Sequence, residues 1–281
     1  MRGMGLGLGL QRRDAYDPGG PSSRLWLPTD ATSATLLYWW DFSDLSTIVL
    51  NGATIASITD KKSGIVASQA TAGLQPSWSL SPNFGTTGVG SVGINSQKRL
   101  VTPAVPSRSA GQIFSFTRYA GNNGQDHHQY NRIGATIYNW SCIREQAVRR
   151  AKLQVTDSGG LKSVNGTVNS TSSPSINRYS WDTTPQIKAR AIEAAAQEAE
   201  GTTALASNVS SDAGVAPITF GADPNNLGKN MGGDWSAVVQ FAGVLSAAES
   251  DRMEGWMAWS RNLASILPAA HPYKSAAPTF P

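Results

Sequence analysis

The chain has 281 residues, 40% of them hydrophobic and 15% charged, which suffices for one large core or two modest ones and is read here as one. A formal charge of +4, with basic residues dispersed apart from the adjacent pairs Arg12-Arg13, Lys61-Lys62, Lys98-Arg99 and Arg149-Arg150, permits an acidic partner but does not indicate nucleic acid. The single cysteine, Cys142, excludes a disulfide framework and a paired-cysteine zinc site, and no run approaches the roughly 20 apolar residues of a membrane span.

The first element in chain order is Met4-Gly-Leu-Gly-Leu-Gly-Leu10. When extended, it places Leu6, Leu8 and Leu10 on one face while the glycines let another backbone approach. Glycine interrupts every leucine before Arg12, which makes a poor secretion signal. Gln11 to Asp14 and Asp17 to Ser23 have linker and turn chemistry. Residues 1–30 therefore read as an extended arm and linker, and 31–281 as the folded domain. The arm is either an anchor peptide lying on another subunit or an untied chain end.

The 28 glycines and 15 prolines, among many Ser, Thr and Asn, favour an all-β domain of short strands and turns. Strands are expected near 35–42, 52–58, 90–94, 112–119, 132–139, 152–157, 161–165, 217–221 and 235–243. Residues 187–200, rich in alanine and followed by Gly201, have helical propensity. In the last strand Trp235, Ala237, Val239 and Phe241 alternate with Ser236, Val238 and Gln240, so one face meets a core. Ser246-Ala-Ala-Glu249 has the capping-box form. After it Met253, Trp256, Met257 and Leu263 form an apolar stripe, with Asp251, Glu254 and Ala258 on the other side.

Chemistry-bearing motifs are sparse. Retaining glycoside hydrolysis needs a carboxylate pair, and no dense acid run serves; Glu193, Glu198 and Glu200 sit among alanines and read as solvated surface. His127 and His128 are adjacent and point apart when extended, no Gly-x-Ser-x-Gly elbow is present, and Cys142 reads as a small buried residue. No catalytic residue, metal site or cofactor is expected. Asp41, Asp44 and Asp60 read as turn caps, with calcium ligation as the alternative. Most of the nine tryptophans read as core; Trp78 after Pro76 and Trp181 before Asp182 lie in loop-like contexts and are the candidates for stacking on a glycan.

Two segments carry a resemblance. Leu37-Tyr-Trp-Trp-Asp41 with Asp44, Ile58-Thr-Asp-Lys-Lys-Ser-Gly64 and Gln69 to Pro76 at one end, and the strand, helix and Leu267-Pro-Ala-Ala-His-Pro-Tyr-Lys274 tail at the other, resemble the LamG-like, concanavalin A-type jelly-roll domains of bacteriophage structural proteins. Trp259 and Asn262 stand where many relatives carry Lys-Trp-Gly. The resemblance implies a jelly-roll β-sandwich with a short C-terminal helix, a hairpin turn at Asn165-Gly166, and a strand near 186–193 in place of the helix. It implies a non-enzymatic virion protein, as capsid decoration, head fibre, tail fibre or baseplate-associated subunit, present in many copies of a symmetric assembly. Leu6, Leu8, Leu10, Arg12 and Arg13 would anchor it to neighbouring virion subunits, its outer loops would contact a host-surface glycan, and neither nucleic acid nor membrane would be a partner. A carbohydrate-binding module and a secreted glycosidase of the same fold are the alternatives.

Overall fold

The computed structural model describes residues 24–92, 97–106, 108–119, 126–133, 137–144, 151–157, 160–166, 173–182, 186–193, 196–197, 200–206, 215–222 and 232–280. In chain order the strands are β1 (Thr35–Asp41), β2 (Ile48–Asn51), β3 (Thr54–Thr59), β4 (Val66–Ser68), β5 (Ser77–Ser81), β6 (Thr87–Val92), β7 (Arg99–Pro106), β8 (Gly111–Tyr119) and β9 (Asp126–Ile133). They continue with β10 (Ile137–Arg144), β11 (Ala151–Asp157), β12 (Gly160–Asn165), β13 (Pro174–Trp181), β14 (Gln186–Glu193), β15 (Ala196–Gln197), β16 (Gly201–Ala204), β17 (Val215–Gly221) and β18 (Gly233–Ala242), before the helix α1 (Ala247–Trp259).

All named pairings are antiparallel. The first layer runs β1, β18, β8, β13, β14, β16; β1 pairs with the end of β18, and β6 takes over the same edge at its start. The second layer runs β2, β3, β4, β7, β17, β9, β10, β11, β12. Between them lies a core of Trp40, Phe42, Ile55, Leu100, Ile113, Cys142, Leu153, Tyr179, Trp181, Phe220 and Trp235. The fold is a mainly β jelly-roll sandwich with one short C-terminal helix, the expected class. β14 forms over 186–193 despite the alanine content, because pairing to β13 on one side and β16 on the other outweighs helical propensity.

The first sheet is buried on both faces. Its outer face, with Phe114, Phe116, Ile176, Val239 and Phe241, packs against α1 and the chain ends in a second apolar cluster. The alternation expected for β18 is accordingly interrupted. A bulge at Ser236 shifts register between Trp235 and Ala237, so Trp235 and Val238 face the inner core while Val239 and Phe241 face the helix. The bulge is held by Arg261, a fully buried guanidinium that donates to Ser236 Oγ at 2.5 Å and to Asp41 Oδ1 at 3.1 Å.

Ser246 caps α1 as expected, its Oγ accepting from Glu249 N at 3.2 Å. The reciprocal half of the capping box is absent: the Glu249 carboxylate accepts instead from the backbone of Thr32 at 2.7 Å and Ser33 at 3.0 Å, and so ties the helix start to the segment entering β1. Met253, Trp256 and Met257 are buried, with Trp39 edge-on to Trp256 at 5.4 Å. Glu254 and Ala258, expected on the open side, are buried as well, because the tail folds back over the helix. Trp259 Nε1 donates to Tyr273 O at 2.7 Å, and a Cβ at Gly255 would stand 2.8 Å from that of Tyr273.

Residues 24–30, assigned to the linker by composition, are part of the packed domain. Trp26 is buried in the outer cluster, and Trp26 N to Pro278 O and Phe280 N to Arg24 O, both 2.9 Å, join the two chain ends. The strand expected at 132–139 straddles the connection between β9 and β10. Asn165-Gly166 makes no hairpin turn, since Gly166 N still bonds Ala151 O at 2.7 Å. Pattern reading missed β2, β4, β5, β7, β13, β15 and β16. No helix among the described residues is long and apolar enough to cross a membrane.

Candidate functional site

On the outer face of the first sheet, residues two apart along each strand share a side, and pairing aligns them into rows. Ala237, Phe116, Ile176 and Ile192 form an apolar row. Val239, Phe114, Arg178 and Arg190 form the next, and Phe241, Gln112, Ser180 and Lys188 the last. The sheet therefore turns from apolar beneath the helix to polar toward β13 and β14.

Arg178 and Arg190 stand directly opposite each other, a like-charge pairing that is unfavourable on its own. Glu254, projecting from α1, resolves it. Arg190 Nη2 lies 2.5 Å from both Glu254 oxygens, Arg178 Nη1 lies 3.5 Å from Oε1, and His271 Nε2 lies 3.4 Å from Oε2. Burial at 1% exposure would raise the Glu254 carboxyl, but His271, Arg178 and Arg190 together hold it below its ordinary value. Asp251, 3.8 Å from Arg190, goes the other way: burial and the neighbouring Glu254 charge raise it above the effect of the two arginines and His271.

Asp251, Glu254 and His271 bring ligand atoms within 4.8 Å of one another. The set does not fit a metal cation, because a guanidinium already occupies both Glu254 oxygens and a second flanks it.

Beside this network a cleft of about 200 Å³ opens where the last row runs out from under the helix. Gln112, Ser180 and Lys188 make its floor, Arg178 and Glu200 one wall, and Val244 to Ala247 with Ser250 the other. Glu200, just before β16, accepts from Arg178 Nη2 at 2.9 Å and lies 3.4 Å from Lys188 Nζ. Gln112 is fixed from both ends: its Oε1 accepts from Leu245 N at 2.9 Å and its Nε2 donates to Ser250 Oγ at 3.4 Å. The cleft thus presents an ammonium, a guanidinium, a carboxylate, hydroxyls and the half-exposed apolar side chain of Val244. It has room for about one monosaccharide ring and is smaller than a drug-sized pocket.

The residues singled out from sequence lie elsewhere. Leu6, Leu8, Leu10, Arg12 and Arg13 are outside the described residues, as are Glu198 and the side chains of His127 and His128. Trp181 is not in a loop: it ends β13, is 1% exposed, stacks on Trp140 with ring centroids 6.2 Å apart, and donates from Nε1 to Arg108 O at 3.0 Å. It has no face open to a ligand. Trp78 lies in β5, half-buried, its Nε1 donating to Phe42 O at 3.0 Å and its ring pressed on Gly88. Asp41, Asp44 and Asp60 cap turns at Ser43, Ser46 and Ser63. Cys142 is fully buried, and burial pushes its thiol well up. Of the acid cluster read as solvated, Glu193 is buried and Glu200 is ion-paired in the cleft. The signal overlooked was the polar alternation Arg178, Ser180 and Lys188, Arg190, whose meaning appears only when β13 and β14 pair.

No family model and no curated protein matches the sequence. Among solved structures, the chain is similar to domain 4 of AbnA, a GH43 extracellular arabinanase from Geobacillus stearothermophilus, in complex with arabinotriose. The TM-score is 0.55 at 10% identity, over 77% of this chain and 96% of that one. It is also similar to an arabinofuranosidase complexed with arabinofuranosyl-α-1,2-xylobiose, with a TM-score of 0.53 at 11% identity, over 81% of this chain and 60% of that one. Tailspike protein 2 from Escherichia coli O157:H7 bacteriophage CAB120 has a TM-score of 0.47 at 14% identity over 69% of this chain and 27% of its own, too low to carry an argument. At these identities the likeness shows the fold alone.

Proposed function

We propose that this chain is a non-enzymatic structural subunit of a bacteriophage particle whose sandwich holds a host-surface saccharide in the cleft between Gln112, Ser180, Lys188 and the start of α1. The observation that carries the saccharide reading is the lining itself. Sugar hydroxyls both donate and accept, and the cleft offers fixed donors and acceptors beside an apolar wall at Val244 for the C–H face of a ring. The fold is consistent with this use, since the similar arabinanase domain is in complex with arabinotriose.

Hydrolysis is disfavoured because glycosidases need two carboxyl groups at the scissile bond. Glu200 is the only acid lining the cleft among the described residues, and Glu254 is sealed under arginines. The particle assignment rests on the resemblance at residues 37–76 and 235–274. In this reading residues 1–13 attach the subunit to its neighbours in the particle, with Leu6, Leu8 and Leu10 entering apolar pockets and Arg12 and Arg13 pairing with acids at their rim.

Glycan-array binding of the full chain tests the saccharide reading, together with a Ser180→Trp variant that fills the cleft. Binding lost in the variant at unchanged melting temperature supports the site; binding retained moves it elsewhere. Detection of the chain in purified particles tests the structural role. A second reading, a carbohydrate-binding module carried by a glycosidase, is favoured by the arabinanase neighbour. It predicts the same array result with no particle association.

A further inference from the structure

Resting on the saccharide reading of the cleft, we infer that its preferred ligand is an acidic sugar, whose carboxylate takes the place now held by the Glu200 side chain between Arg178 and Lys188.

Two cations from adjacent strands converge on one carboxylate, each on a different oxygen: Arg178 Nη2 is 2.9 Å from Glu200 Oε1 and Lys188 Nζ is 3.4 Å from Oε2. That two-point geometry suits any planar carboxylate. The backbone positions of both cations are set by the sheet and not by Glu200. Arg178 is fixed in register between β8 and β14 and is also 3.5 Å from the buried Glu254; Lys188 is fixed between β13 and β16. Glu200 lies outside the strands, just before β16, and its side chain is 29% exposed. An ion pair so exposed contributes little, so the carboxylate can swing into water while the strands that carry both cations stay in place.

The chemistry around the pair completes the match. With Glu200 displaced, Arg178 keeps its Nη1 3.5 Å from Glu254 Oε1, and its Nη2 is left with Lys188 Nζ for the ligand. Ser180 and Ser250 lie on the floor and the facing wall for ring hydroxyls, and Val244 for the ring's apolar side. A neutral sugar would gain only hydroxyl hydrogen bonds from the two cations, without the charge, and would have to fit around the existing ion pair.

The test titrates D-glucuronate and D-glucose into the full chain at low salt, followed by protein-observed NMR, for the wild type, Glu200→Gln and Lys188→Gln. Both substitutions are at the surface, and melting temperatures check that folding is unchanged. Glucuronate is expected to bind about tenfold tighter than glucose, the worth of one charge-assisted contact, and to weaken with added salt. Glu200→Gln should tighten glucuronate binding severalfold by removing the internal competitor, and Lys188→Gln should reduce the preference by removing one of its two cations. Equal affinity for both sugars in the cleft, or weaker glucuronate binding in Glu200→Gln, would overturn the acidic-sugar inference and leave the saccharide reading standing. Binding of neither sugar, together with a blank glycan array, would overturn both.

Discussion

Replacing Glu254 by Gln would keep the shape of the residue and remove the charge that lies between Arg178 and Arg190. Both Glu254 oxygens are 2.5 Å from Arg190, Arg178 is 3.5 Å away, and the carboxylate is 1% exposed, so no solvent can replace it. Breaking a buried pair from one side costs about 3–5 kcal/mol, because the partner charge remains. The amide oxygen still accepts one hydrogen bond, which puts the expectation near the lower end, about 3 kcal/mol. Urea unfolding at pH 7 reads this directly.

Two controls sharpen the result. Replacing Glu254 and Arg190 together by Leu and Met should recover most of the loss, since a well-packed apolar pair can substitute for a buried ion pair. The pH dependence has a definite sign. The folded-state pKa of Glu254 is depressed, so its stabilisation is complete above its unfolded value, near 4.5, and is lost as the pH falls through that value toward the folded one. Glu254→Gln should therefore flatten the acid limb of the stability curve. Asp251, whose folded pKa is raised, should behave oppositely, and Asp251→Asn should not destabilise the protein at pH 7. A loss below about 1 kcal/mol for Glu254→Gln, or no recovery in the double variant, would refute the claim that this carboxylate holds the arginine pair.

Met257→Ala removes a fully buried side chain of the helix and should cost about 2–5 kcal/mol by thermal or urea unfolding. Gly255→Ala introduces a Cβ 2.8 Å from that of Tyr273; it should cost about 1–3 kcal/mol and make the chain beyond Trp259 more susceptible to limited proteolysis. Deleting residues 1–13 should leave the melting temperature of the sandwich unchanged while abolishing incorporation into particles. Incorporation at normal copy number would place attachment on the sandwich instead.

Composition and pattern alone were enough for a mainly β chain, a helix capped by Ser246, a core role for Trp39 or Trp40 and for Trp235 and Trp256, and a buried Cys142. These are local matters: turn residues, side-chain size and a cap act within a few positions. Three things depended on the tertiary structure. The bulge at Ser236 changes which face each β18 residue meets, because the buried Arg261 and the register with β8 decide it together. Glu254 reads as an open-face helix residue and is buried, because a tail ten and more residues later folds over it and two arginines some 60 to 80 positions earlier wait beneath. Trp181 reads as a loop aromatic and is core, while the polar cleft is built from Gln112, Ser180, Lys188 and Glu200, none of which neighbours another in sequence. Strand pairing sets these juxtapositions, and hydrogen bonding between distant segments leaves no periodic mark on either one.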